Sequence, residues 1–145
     1  MSTEIQNNRP QDPAVLARQK FGNTVNAMAE RELIALFGTD TGKQAASRVA
    51  MAFRSAAATA KKPGAFYECS MESVANAMAT SAFTQIMPGG PYPGCFLVPK
   101  GGVLGWWITH RGIKTLARRA GQSVETIPYF DGDTLTINRG RDYGF

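Results

Sequence analysis

The sequence predicts an α+β fold: N-terminal helices, then a β-hairpin, a basic helix and a second β-hairpin. Three observations carry that expectation. Apolar residues recur at helical spacing through the N-terminal half. Two short runs rich in β-branched and aromatic residues, CFLVP and VLGWWITH, then flank the turn sequence KGG. From Gly112 the apolar period returns to 3.6.

The first twelve residues, MSTEIQNNRPQD, hold too little apolar surface to offset the entropy of ordering, so residues 1–12 are expected to form a flexible leader. Asp12 followed by Pro13 marks a helix start, a capping side chain before a residue whose fixed φ suits the first turn. Gly22 weakens that helix. A second helical stretch, NTVNAMAERELIALFG, places Val25, Met28, Ala29, Leu33 and Leu36 on one stripe and stops at Gly38. GTDTGK then reads as a turn. It resembles a phosphate loop only superficially: the spacing is one residue short, Gln44 stands where Ser or Thr is required, and no buried strand precedes it.

KQAASRVAMAFRSAAATA (43–60) is a helix by propensity, with Val49, Met51 and Phe53 as apolar anchors, and KKPG ends it. A fourth helix starts near Ser70, whose hydroxyl can cap a free N–H, with Glu72 at the positive end of the helix dipole. Val74, Ala77, Met78, Ser81 and Ala82 form a small-residue stripe suited to close packing. MPGGPYPG, with three prolines and three glycines, is a turn-rich loop. The predicted hairpin follows. Alternation along its second strand puts Leu104, Trp106, Ile108 and His110 on the core face and Val103, Gly105, Trp107 and Thr109 on the other. Trp107 is therefore the aromatic expected at the surface.

In the next helix Ile113, Leu116, Ala117 and Ala120 form the apolar stripe, and Gly121 ends it. Arg111, Lys114 and Arg118 recur away from that stripe with Arg119 beside them. VETIPYF and TLTIN read as a second hairpin about the turn Asp131–Gly132–Asp133.

Composition narrows the function classes. The net charge of +5 arises at the two ends of the chain: residues 1–64 carry nine Lys/Arg against five Asp/Glu, and residues 101–145 six against four. A polyanion is thus a plausible partner, although many basic proteins have none. Two isolated cysteines, Cys69 and Cys95, lack the further ligands a zinc site needs, so reduced thiols and no metal are expected. Neither a secretory signal nor an apolar run of about twenty residues occurs, which predicts a cytoplasmic protein without membrane contact. No catalytic constellation stands out, so no enzymatic activity and no cofactor are expected. Glu125, Asp131, Asp133 and Asp142 could gather magnesium, the feature a metal-dependent nuclease would need, but the hairpin turn accounts for two of them. His110 lacks a nearby Cys or Asp partner and reads as a core or hydrogen-bonded residue.

A strand with an exposed aromatic running into a helix with a basic row suits a single nucleic-acid strand, with phosphates on the row and a base on the ring. A basic helix face is more often simply solvated, however, and paired tryptophans are more often core than ligand platform.

The blocks AFYECSMESVANAMATSAF, the Met87–Pro88 loop, FLVPKGG, WWITHRGIKTLARRAGQ and VETIPYFDGD resemble, in that order, the core of the RecT/Redβ family of phage single-strand annealing proteins. The likeness spans residues 65–138. Arg111 and Gly112 fit the family's basic residue and glycine after the strand, and Leu116, Ala117, Arg119 and Gly121 fit its helix; Val98, Pro99 and Lys100 look like its entry into the turn. Thr109 and His110 replace the usual glycine and tyrosine. The resemblance implies a single annealing-protein-like domain over 13–145; relatives continue past the strand near Thr134–Asn138, so either a C-terminally truncated fragment or a shortened member of the family is expected. It also implies ATP-independent binding of single-stranded DNA, annealing through a duplex intermediate in recombination, and homo-oligomeric rings or filaments in a bacterial host. The DNA-facing set expected here is Lys100, Trp107, Arg111, Lys114, Arg118 and Arg119. The rival expectation is a structural or protein-interaction module that uses the basic helix as a subunit interface.

Overall fold

The computed structural model describes residues 12–124 and the strand pair 136–137 with 143–144. Its order is α1 (Pro13–Phe37), α2 (Thr39–Thr59), α3 (Gly64–Tyr67), α4 (Met71–Thr84), β1 (Cys95–Lys100), β2 (Val103–Ile108), α5 (His110–Arg119), β3 (Thr136–Ile137) and β4 (Tyr143–Gly144). The fold is α+β, helices first and then a two-stranded antiparallel sheet with a further helix. Apart from Asp12, the leader expected at 1–12 lies outside the described residues.

The helix starts follow the sequence closely. The Asp12 carboxylate accepts from the Ala14 N–H at 2.9 Å with Pro13 in the first turn, and Ser70 Oγ accepts from the Ser73 N–H at 3.3 Å to begin α4. Two predicted interruptions are absent. Gly22 lies inside one continuous α1, where a Cβ would make only ordinary contact with Arg54. The GTDTGK turn shrinks to Gly38, at φ 79°, and residues from Thr39 onward are already helical.

The reason is packing. A Cβ on Gly42 would fall 2.5 Å from Ile34 Cα, so the two helix backbones meet there, and α2 must begin early enough to present that glycine. Tertiary contact overrides the turn propensity of Gly and Asp. The α1–α2 seam then buries Val25, Met28, Ala29 and Leu33 against Ala46, Val49, Ala50 and Phe53. Full burial of side chains such as Leu33 and Phe53 stabilises by about 1.5–3 kcal/mol each. Leu36 and Met51, expected on the apolar stripes, are exposed instead.

Helix α4 closes the core with the predicted stripe, and Val74, Ala77, Met78, Ser81 and Ala82 are all buried. Its serines satisfy the hairpin's polar groups. Ser73 Oγ accepts from the Leu104 N–H at 2.9 Å, and the Trp106 indole N–H donates to Ser81 Oγ at 2.9 Å. The hairpin register pairs Lys100 with Val103 and Phe96 with Trp107, about a Gly101–Gly102 turn with both residues at positive φ. Because the Leu104 N–H points away from β1, its partner Pro99 also faces outward. Pro99 thus sits on the open edge of β1, where a missing N–H leaves no ladder bond unmade.

One strand boundary differs from expectation. β2 ends at Ile108, Thr109 caps α5, and His110 is the exposed first residue of that helix, not a core residue. Thr109 favours the cap because its hydroxyl reaches the Gly112 N–H. Thr136–Ile137, within the predicted TLTIN strand, pairs antiparallel with Tyr143–Gly144, which is not the expected pairing with VETIPYF; all of that stretch but Val124 lies outside the described residues. The turn expected at Asp131–Gly132–Asp133, and the acids Glu125, Asp131, Asp133 and Asp142, lie outside the described residues. Among the described residues no helix is long and apolar enough to cross a membrane, and no group of three or more His, Cys, Asp or Glu gathers to hold a metal.

Candidate nucleic-acid interface

Backbone alternation sorts the hairpin into two faces. Cys95, Leu97, Leu104 and Trp106 turn to the core, while Phe96, Lys100, Val103 and Trp107 occupy the other face. Trp107 is 62 % exposed and its cross-strand neighbour Phe96 56 %. A Cβ on Gly105 would lie 2.9 Å from Trp107 Nε1 and 3.3 Å from its Cδ1, so the indole folds back along its own strand over the glycine. The ring is thereby held by the backbone while most of its surface stays open. A side chain at position 105 would displace it.

The junction from sheet to helix is tightly built. Thr109 Oγ1 accepts from the Gly112 N–H at 3.2 Å and donates to the carbonyls of Pro93 and Gly94, at 2.9 and 3.0 Å. The Thr109 N–H also donates to the Gly94 carbonyl at 2.9 Å. Gly112 is buried against that same segment, and a Cβ there would collide with the Gly94 carbonyl oxygen and Ile108 Cγ1. Only glycine allows α5 to start so close to the Pro/Gly-rich loop.

This junction fixes where the basic row begins. Arg111 is exposed, and its guanidinium carbon lies 4.0 Å from the ring centroid of Tyr92, a residue 71 % exposed. Such a contact at the surface contributes about 0.5–1 kcal/mol and orients the guanidinium. Lys114 is half-buried and Arg118 exposed on the following turns, and Lys100 is exposed at the turn end of β1. Arg111, Lys114 and Arg118 therefore share a helix, and Trp107 lies four residues before its first basic residue.

Arg119 is differently placed. It donates to the carbonyls of Thr84 and Gln85, the last groups of α4, where Gln85 adopts a left-handed conformation. A cation there meets the negative end of the helix dipole, and it ties α5 to α4. Its charge already has an internal partner.

Sequence reasoning missed Phe96 and Tyr92. Phe96 was legible in principle, since the same alternation that exposes Trp107 exposes its hairpin partner once the KGG register is set. Tyr92 sits in an aperiodic Pro/Gly loop, where no pattern predicts which way a ring points.

The two cysteines are free and buried, Cys95 on the core face of β1 behind Phe96. Burial pushes the Cys95 thiol up to about 11, and hydrogen bonding with Ser81 and Trp106 only partly opposes it. Burial, and then the nearby Glu68 carboxylate, raise Cys69 as well. Both remain protonated thiols at neutral pH, unsuited to nucleophilic or metal-binding roles.

No protein-family profile, curated protein or solved structure matches the chain.

Proposed function

We propose that the protein binds single-stranded DNA and anneals complementary strands without ATP, as the resemblance to phage annealing proteins implies. The observation that carries this reading is the open Phe96–Trp107 pair on one sheet face, continuing through a glycine-tight junction into the basic residues of α5. Unpaired bases stack on such rings without regard to sequence, and Lys and Arg neutralise the phosphates. Annealing makes and breaks no covalent bond, so the protein's task is to gather and extend two strands while base pairing supplies the specificity. The groups assigned to DNA are Lys100, Trp107, Arg111, Lys114 and Arg118.

The test is pairing of two complementary labelled oligonucleotides, without ATP, at low and moderate salt. The wild-type chain is expected to accelerate pairing over the protein-free control, and Arg111→Gln with Lys114→Gln to weaken binding to every sequence alike. Loss of two phosphate contacts lowers the steepness of log K against log salt by about 1.4. Absence of both binding and acceleration in the wild-type chain rejects the reading.

One observation favours a protein interface on α5. Ile113, within its apolar stripe, is 46 % exposed, so the side of the helix that should face a core is incompletely covered. A subunit contact on that stripe would serve homo-oligomer formation and leave the basic row free. Sedimentation without DNA separates the cases: assembly lost in Ile113→Glu, with no DNA affinity in any variant, supports the interaction-module reading alone.

A further inference from the structure

Beside the open edge of β1 lies a cleft of about 1040 Å³, between that strand, the end of α2 and the Pro88–Gly90 segment. Its wall includes Lys61, Lys62, Phe66, Phe96 and Pro99, and among the described residues no Asp or Glu lines it. Both lysines are exposed, and among the described residues neither pairs with a carboxylate. Phe96 borders two surfaces at once: it lines this cleft and it stands beside Trp107 on the outer face of the sheet. Pro99 removes a backbone donor from the strand edge that bounds the cleft, which disfavours an added β-strand as the occupant.

A cleft that, among the described residues, holds two unpaired cations, no anion and an exposed ring at its lip is complementary to a polyanion carrying flat bases. We propose that Lys61 and Lys62 are a second phosphate-contact point, so that one DNA strand runs from the basic row of α5, across Trp107 and Phe96, into the cleft beside β1. This inference rests on the single-strand reading above and extends the bound path along the open edge of β1. The KKPG segment thus acquires a role beyond ending α2. Lys61 and Lys62 lie beyond the last helical residue, Thr59, so their side chains are displayed from a bend and not from the helix barrel.

The experiment measures affinity, salt dependence and occluded site length on oligo-dT of graded lengths for the full chain. The variants are Lys61→Gln with Lys62→Gln, Phe96→Ala, and a charge-matched control, Lys20→Gln with Lys43→Gln. All these side chains are exposed, and circular dichroism verifies that each variant folds. The expected result is a salt slope lower by about 1.4 for the Lys61/Lys62 pair, with a shorter site; the control keeps the wild-type slope and site length. Phe96→Ala is expected to weaken long oligomers more than short ones.

If the wild type binds, Arg111→Gln with Lys114→Gln weakens it, and the Lys61/Lys62 pair leaves slope and site length unchanged, this extension falls while the single-strand reading stands. An equal loss in the control pair also overturns it, because bulk charge would then account for the effect. A wild-type chain without affinity for oligo-dT overturns both.

Discussion

Cys95 is completely buried, and its thiol points at the Ile86 carbonyl at 3.6 Å. Burial raises its pKa to about 11, whereas in the unfolded chain it titrates near the ordinary thiol value of 9.0. Between those values the unfolded chain has released the proton and the folded chain still holds it. The folded state binds more protons there, so stability falls as pH rises from about 9 towards 11 and levels off above. Cys69 acts in the same direction. Urea midpoints from pH 7.5 to 11 are therefore expected to decline more steeply for the wild type than for Cys95→Ala, where that titration is gone. Parallel curves would show that the thiol ionises equally in both states. None of this is legible locally: a lone cysteine in CFLVP looks like any strand residue, and its chemistry is set by Ser81 of α4 and the Ile86 carbonyl packed over it.

At the scale of elements, two contacts decide how the helices sit, and they were unequally legible. α4 could be read almost completely, because Ser70, Glu72 and the Val74–Ala82 stripe are local signals of capping and period. The α1–α2 joint could not, because Gly42 is informative only when Ile34 is known to lie against it. Gly42→Ala gains helix propensity of about 1 kcal/mol yet forces two backbones apart, and overpacking of that kind typically costs about 1–3 kcal/mol. Net destabilisation is expected, read as a lower urea midpoint with the m-value unchanged. The basic helix shows the same division. Its row was visible as a period, but the row does not reveal that Arg119 reaches back to Thr84 and Gln85. Arg118 and Arg119, adjacent in sequence, should therefore respond oppositely. Arg119→Ala is expected to lower stability by about 1 kcal/mol and leave the salt dependence of DNA binding intact. Arg118→Ala should leave the melting temperature intact and reduce the salt slope by about 0.7. The reverse pattern would place Arg119 on DNA and remove its capping role.

At the scale of the whole molecule, charge and aromatic surface make separable contributions. A net charge of +5 and a pI near 9.5 favour a polyanion only through a term that carries no information about bases. Trp107 and Phe96 add a term only where an unpaired base can reach their faces. An oligo-dT and an abasic oligomer of equal length present the same phosphates, so their difference isolates stacking. Oligo-dT should bind more tightly by about 1–3 kcal/mol for each stacked base, and it should raise the melting temperature further at equal concentration. Raising salt should weaken both ligands in parallel while their ratio holds, because counterion release depends on phosphates alone. Fluorescence reports which ring is used. Trp106 is tied to Ser81 on the core side, whereas Trp107 is open, so quenching by oligo-dT should vanish in Trp107→Phe and be absent with the abasic oligomer. Equal affinity for the two ligands would reduce the interface to a charged surface, and the exposed Phe96–Trp107 face would then belong to a protein contact instead.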